Sequence, residues 1–221
     1  MRLPIRISVE DQERAYDEWG CNCGPAALAA IMGLSLDQVR PHMGDFETKR
    51  YTNPTLMFAA LDSVGARWRN LGRRCDWPVY GLCRIQWEGP WTKPGVPIRA
   101  RYRHTHWIAV QHPLHSPTVG IFDVNALANG SGWTDEKSWR DNLVPWLLNE
   151  CVPRANGKWH VTHSIEIEIS SAIRSSGGGL GIQEPGSITR GTRAKVKTPS
   201  GRARDRAMCP AAARSIQGRA A

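Results

Sequence analysis

Three short stretches of this chain carry side chains suited to nucleophilic chemistry. The first is Cys23-Gly24-Pro25-Ala26-Ala27-Leu28, where a run rich in Ala and Leu opens with a cysteine. Pro25 falls in the first turn, where its missing N–H costs nothing, and Gly33 closes the run, so a helix is expected over Gly24 to Met32 with Cys23 in its N-cap region. A helix N-terminus favours negative charge, which suits the thiolate, the nucleophilic form of a cysteine. Gly24 leaves room for a carbonyl group to approach the backbone beside the sulfur. The second stretch is Arg103-His104-Thr105-His106-Trp107-Ile108-Ala109-Val110. Strand side chains alternate, so His104 and His106 share a face; either could take the thiol proton, and His106, at the head of the apolar run, is the expected base. The third is Ile121-Phe122-Asp123-Val124-Asn125. In an antiparallel hairpin Asp123 comes beside His106 and can hold the imidazole in its reactive tautomer, a role that Asn125 on the same face could share.

Each stretch alone also has a plainer reading: a buried cysteine opening a core helix, two strand-end histidines facing solvent, an aspartate ending a strand. Their value lies in the elements that would bring them together. Ser35 caps a second short helix, Leu36 to about Met43, and Asn53-Pro54 opens a third that ends near Gly65. Strands are expected at Arg67 to Leu71, Gly81 to Trp87, His104 to Gln111, Val119 to Asp123 and Trp159 to Ile169, the last with isoleucines alternating against polar residues. A helix kinked by Pro145 spans Asp135 to Asn149, and the residues before Asp17 read as a short arm. Helices followed by an antiparallel sheet make an α+β plan. The domain is expected over residues 1–171, and 172–221, rich in Gly, Arg and Ala, is expected to be a disordered tail.

The order Cys, His, Asp, with the thiol on an early helix and its partners on a later hairpin, resembles the papain-like cysteine peptidases. The likeness is greatest to the branch that trims double-glycine leaders from bacteriocins. That branch has a cysteine followed by Gly-x-Ala/Ser-x-Leu, as in Cys23 to Leu28, a histidine heading an apolar strand, as at His106, and an aspartate a strand-turn-strand later, as at Asp123. The body also resembles uncharacterised proteins of tailed phages and prophages. The resemblance implies a papain-like fold, a thiol hydrolase that cleaves a peptide or protein amide through an acyl-enzyme, and no cofactor. The family usually places a glutamine about six residues before the cysteine to help bind the oxyanion. Here that position is Asp17, and Gln12 lies further upstream. Asn22, the Trp19 indole or backbone amides are then the remaining donors, since an anionic side chain would repel the oxyanion.

Other readings compete. Cys21, Cys23, His104 and His106 are four ligands of types that bind zinc, although C-x-C is tighter than the usual spacing. Cys21 could be a resolving thiol or could pack against Trp19, the reading we favour. A non-catalytic papain-like binding domain would use Trp87, Trp91 and Trp107 as a groove, with Gly89 to Pro97 as a lid or a plain connection. Six cysteines without a secretory signal read as thiols in an intracellular, cytoplasmic setting, and no run of about 18 apolar residues marks a membrane span. The net charge of +9 belongs mostly to residues 172–221, with ten Lys/Arg against two Asp/Glu, leaving the body near neutral. Any nucleic-acid contact would therefore be weak, nonspecific and confined to the tail.

Overall fold

The computed structural model describes residues 3–72 and 77–168. Cys75, Cys209, Ile169 and the basic segment 172–221 lie outside the described residues.

The N-terminal arm is a helix. Ser8 and Asp11 form a reciprocal capping box, each side chain accepting from the other's backbone N–H, and α1 runs over Val9–Trp19 to Gly20 in the left-handed region. Gly20 turns the chain into α2, Cys23–Met32, whose residues after Cys23 are all buried and whose C-cap, Gly33, again has a positive φ of 66°. The expected second helix is α3, Leu36–Val39, opened by a Ser35–Gln38 capping box; Pro41 then tightens the chain into a 3-10 turn, Arg40–His42. A further short helix, α4, covers Phe46–Lys49. Asn53 caps α5, Pro54–Ser63, by accepting from the Leu56 N–H at 2.8 Å, with Pro54 at the first helical position.

Six antiparallel strands follow: β1 Trp68–Gly72, β2 Tyr80–Trp87, β3 Thr105–Gln111, β4 Gly120–Phe122, β5 Trp133–Asp135 and β6 Trp159–Ile167. Their order in the sheet is β1-β6-β2-β3-β4-β5, so the last strand lies between β1 and β2. The architecture is α+β, as the sequence implies. A short helix, α6, Ile98–Arg101, interrupts the β2–β3 connection.

The sheet is covered on both faces. Helices α1 to α5 pack on one, against Leu82, Trp107, Ala109, Phe122, Ile165 and Ile167. Cys83, Ile85, Trp87, Ile108, Val110 and Ile121 face the other, where Trp139, Val144 and Leu147 cover them. Burial on both sides explains why every residue of β2 is buried, and why the isoleucines of β6 face inward.

The expected helix over Asp135 to Asn149 breaks into three parts: α7, Glu136–Ser138, a π-helical turn, Trp139–Leu143, and α8, Val144–Glu150. Asp135 is the end of β5 and the cap of α7 at once. Pro145 starts α8 rather than kinking a helix, because the π-turn ahead of it absorbs the bond that Pro cannot make.

Candidate active site

The thiol and the imidazole belong to opposite faces of the sheet and meet where a strand stops. Ala109 is the first residue of β3 to pair with β4, at Phe122, so from Trp107 to Thr105 β3 stays paired with β2 while its other flank is open. The first turn of α2 reaches this open flank. Cys23 is the first helical residue, one place further in than expected, and Asn22 is its cap without a side-chain capping bond. The Ala26 N–H already bonds to the Asn22 carbonyl and Pro25 has none, which leaves the Cys23 and Gly24 N–H groups at the helix start.

His106 and Asp123 are both 0% exposed. Nε2 of His106 lies 2.9 Å from Oδ2 of Asp123. The other ring nitrogen, Nδ1, is buried without a completed hydrogen bond, and Cys23 is the remaining group that interacts with the ring. The Cys23 thiol and the His106 ring each alter the protonation of the other. Asp123 is held from every side: the Asn125 N–H and Nδ2 donate to Oδ1 at 3.0 and 2.9 Å, and the Trp139 indole donates to Oδ2 at 2.9 Å. Trp87 stacks on the His106 ring with centroids 6.1 Å apart.

The electrostatics favour a charge-separated pair. Burial pushes the Cys23 thiol up, but the contact and charge of His106 and the Trp107 N–H outweigh it, and the net shift is down. Burial pulls His106 down, yet the Asp123 carboxylate and Cys23 raise it to about 10. Asp123 is lowered for the matching reason, against its own burial. Thiolate and imidazolium stabilise each other here, and they titrate as a unit. Cys21 behaves differently: burial pushes its thiol up to about 12, so it stays protonated at neutral pH.

The other expected residues fall in distinct places. Asn125 braces Asp123 rather than replacing it. Asn22 donates from Nδ2 to the Gln12 carbonyl at 3.1 Å, which folds the first half of α1 back beside the thiol. Gln12, eleven residues upstream in sequence, is therefore a neighbour of the site. Asp17 is exposed on α1 and makes no hydrogen bond to the site. Trp19 is buried in the core, edge-on to Phe46 with Arg40 over its ring, and its indole N–H has no hydrogen-bond partner among the described residues. The ring of His104 packs on Trp91, 4.3 Å between centroids, and does not join Cys23. Among the described residues, no group of three or more His, Cys, Asp or Glu is placed to hold a metal ion, so Cys21, Cys23, His104 and His106 do not converge as a zinc site. Trp87 and Trp107 are buried and form no open groove, and Trp91 is pinned by donating to the Trp87 carbonyl. Trp139 was not among the expected residues; a helix face that puts an indole one turn past a strand-ending aspartate gives only a faint sequence signal.

Gly24 has a tighter reason to be glycine than substrate access. A Cβ there would lie 2.4 Å from the Thr52 hydroxyl, and Thr52 cannot retreat freely because the Trp107 indole holds its carbonyl at 2.7 Å. We expect Gly24→Ala to cost about 1–3 kcal/mol. Thermal melting should show a drop of roughly 2–4 °C per kcal/mol in a chain of this size.

A cavity of about 630 Å³ lies apart from the thiol, lined by Arg140, Val144, Leu148, Arg154 and Trp159 among others. No helix among the described residues is long and apolar enough to cross a membrane. No protein-family model, curated protein or solved structure matches the chain.

Proposed function

We propose that the chain is a papain-like cysteine hydrolase that cleaves an amide bond of a peptide or protein. One observation carries this reading: the thiol of Cys23, a residue of intermediate exposure at a helix start, is drawn toward its anion by a fully buried histidine that an aspartate holds from behind.

In the proposed cycle His106 Nδ1 takes the proton from the Cys23 sulfur. The thiolate attacks the substrate carbonyl, forming a C–S bond and placing charge on the oxygen. The Cys23 N–H is aimed at that oxygen from the helix start. Collapse breaks the C–N bond, and the leaving amine takes the proton from His106. Water then gives its proton back to Nδ1 while its oxygen attacks the thioester, and Cys23 leaves as thiolate. Another amine in place of water would make the reaction acyl transfer. Asp123 keeps Nε2 protonated throughout, so that Nδ1 alone faces the sulfur. Such a nucleophile suits a reducing compartment, in line with an intracellular setting.

The test is the pH profile of alkylation by iodoacetamide. Cys23 should react with an acid limb below the ordinary thiol range of about 8.5, with the partly exposed Cys151 followed alongside as the internal comparison. Turnover of a peptide library should rise through the same acid limb. It should fall again only as His106 loses its proton, well above the ordinary histidine value. Equal reactivity of Cys23 and Cys151 across pH would end the nucleophile reading. A reactive Cys23 with no turnover would leave a binding domain.

A further inference from the structure

We propose that Trp139 is a positioning residue for the His106–Asp123 pair, aimed at the carboxylate by the π-helical turn that begins with it. This rests on the reading of Cys23 as a nucleophile and extends it to the opposite face of the sheet.

The Trp139 indole donates to Oδ2 of Asp123, the same oxygen that binds His106 Nε2, and both contacts are 2.9 Å. Oδ1 is occupied twice by Asn125. A carboxylate with two donors on each oxygen cannot rotate without breaking bonds in a buried site, so the direction of the His106 ring is fixed with it. Without the indole, Oδ2 would be held by the histidine alone, and the carboxylate could swing with the group it is meant to orient.

The indole itself is immobilised by other rings. Trp87 stacks on it at 6.3 Å, and Trp159 and Trp77 meet it edge-on at 5.3 and 6.4 Å. The π-turn then explains its direction. The Val144 N–H bonds to the Trp139 carbonyl, five residues back. In a regular α-helix, residues five apart point about 140° away from each other. The wider turn sets them one above the other, so Trp139 and Val144 both face the sheet and both are buried. A rare local geometry is thus placed at the one residue of this segment that touches the carboxylate.

The experiment uses the full chain with Trp139→Phe, which keeps the ring and removes the donor. Trp159→Phe serves as a control from the same cluster, and each is read by the pH profile of Cys23 alkylation. Asp123 loses a donor that favours its charged form, so it should protonate at higher pH. The acid limb should move up, and the rate within the limb should fall about tenfold, the low end for a hydrogen bond to a charged group. Trp159→Phe should leave the limb in place. In an Asp123→Asn background, Trp139→Phe should cost less than twofold. An unmoved limb, or the same loss in that background, would show that the indole only fills space. Proton NMR gives a readout independent of Cys23: the Trp139 indole proton should lie downfield in the parent, and it should shift in folded Asp123→Asn. If it does not shift, the proposal fails. If it shifts while Cys23 is unreactive, Trp139 holds Asp123 and the nucleophile reading fails instead.

Discussion

His106→Ala should slow alkylation of Cys23 at neutral pH by about tenfold, and amide turnover by far more. The first figure follows from two opposed effects. An unassisted thiol is only a few per cent ionised at pH 7. Cys23 without its partner would be ionised still less, because burial is the largest influence on it and raises it. The thiolate population should therefore fall by roughly two orders of magnitude, while the more basic thiolate that remains is intrinsically more nucleophilic and recovers about one of them. Turnover loses more because the leaving amine also needs the proton that His106 would deliver, a further factor of about 10² to 10⁴. Cys151 is the internal control and should react unchanged. Stopped alkylation followed by mass spectrometry of the two cysteine peptides measures both rates in one sample.

Asp123→Ala should be the most destabilising single change at the site, about 3–5 kcal/mol, because it strands a buried partner rather than removing a pair. His106 Nε2, the Trp139 indole and the Asn125 amide would all lose their acceptor at once, and the first two are fully buried. A drop of about 10 °C in melting temperature is expected from the usual scaling. The pH dependence has a definite sign. The lowered Asp123 contributes stability that is present above the ordinary carboxylate value and lost as pH falls through its folded one. The raised His106 contributes stability that is complete below its ordinary value of 6.5 and lost as pH rises toward about 10. These describe one ion pair from its two ends. The gap between parent and variant should therefore be widest between pH of about 4 and 6.5. Urea unfolding at pH 5.5 and at pH 9 would measure it, and a gap that widens toward alkaline pH would contradict the assignment.

Much of the site could be read from residue types and spacing, because the needed signals were local. Pro25 and Gly33 bracket α2, and the alternation in β6 decides which of its side chains turn inward. What escaped depended on tertiary placement. The residues before Asp17 carry few large apolar side chains, and the signals for α1 were Ser8 three residues before Asp11, a weaker box than one closed by Glu or Gln, the acidic first turn and Gly20 at its end. With α1 unseen, the spacing between Gln12 and Cys23 looked prohibitive, whereas the left-handed Gly20 folds the two together. Asp17 drew concern because sequence distance was taken for spatial distance; its side chain points to solvent. The indoles misled in a similar way. Trp87 and Trp107 look like groove residues by type, yet a sheet covered on both faces leaves them no surface. No pattern in Trp139–Leu143 announces a π-turn, although Pro145 follows it directly in the first turn of α8.

The strand order has a consequence for how the molecule is made. β6 pairs with β1 and β2 at once, so Trp68 meets Ile167 across almost a hundred residues of chain. During synthesis β1 and the β2–β3–β4–β5 meander emerge first, with a gap between them one strand wide. Until β6 leaves the ribosome and slots in, two raw strand edges flank that gap, each able to pair with another nascent chain. The histidine and aspartate can find each other early, on neighbouring strands. The scaffold that encloses them is completed only when β6 pairs, which places the hazard of misassembly between the emergence of β5 and that of β6 and makes this a slow-closing fold by its topology.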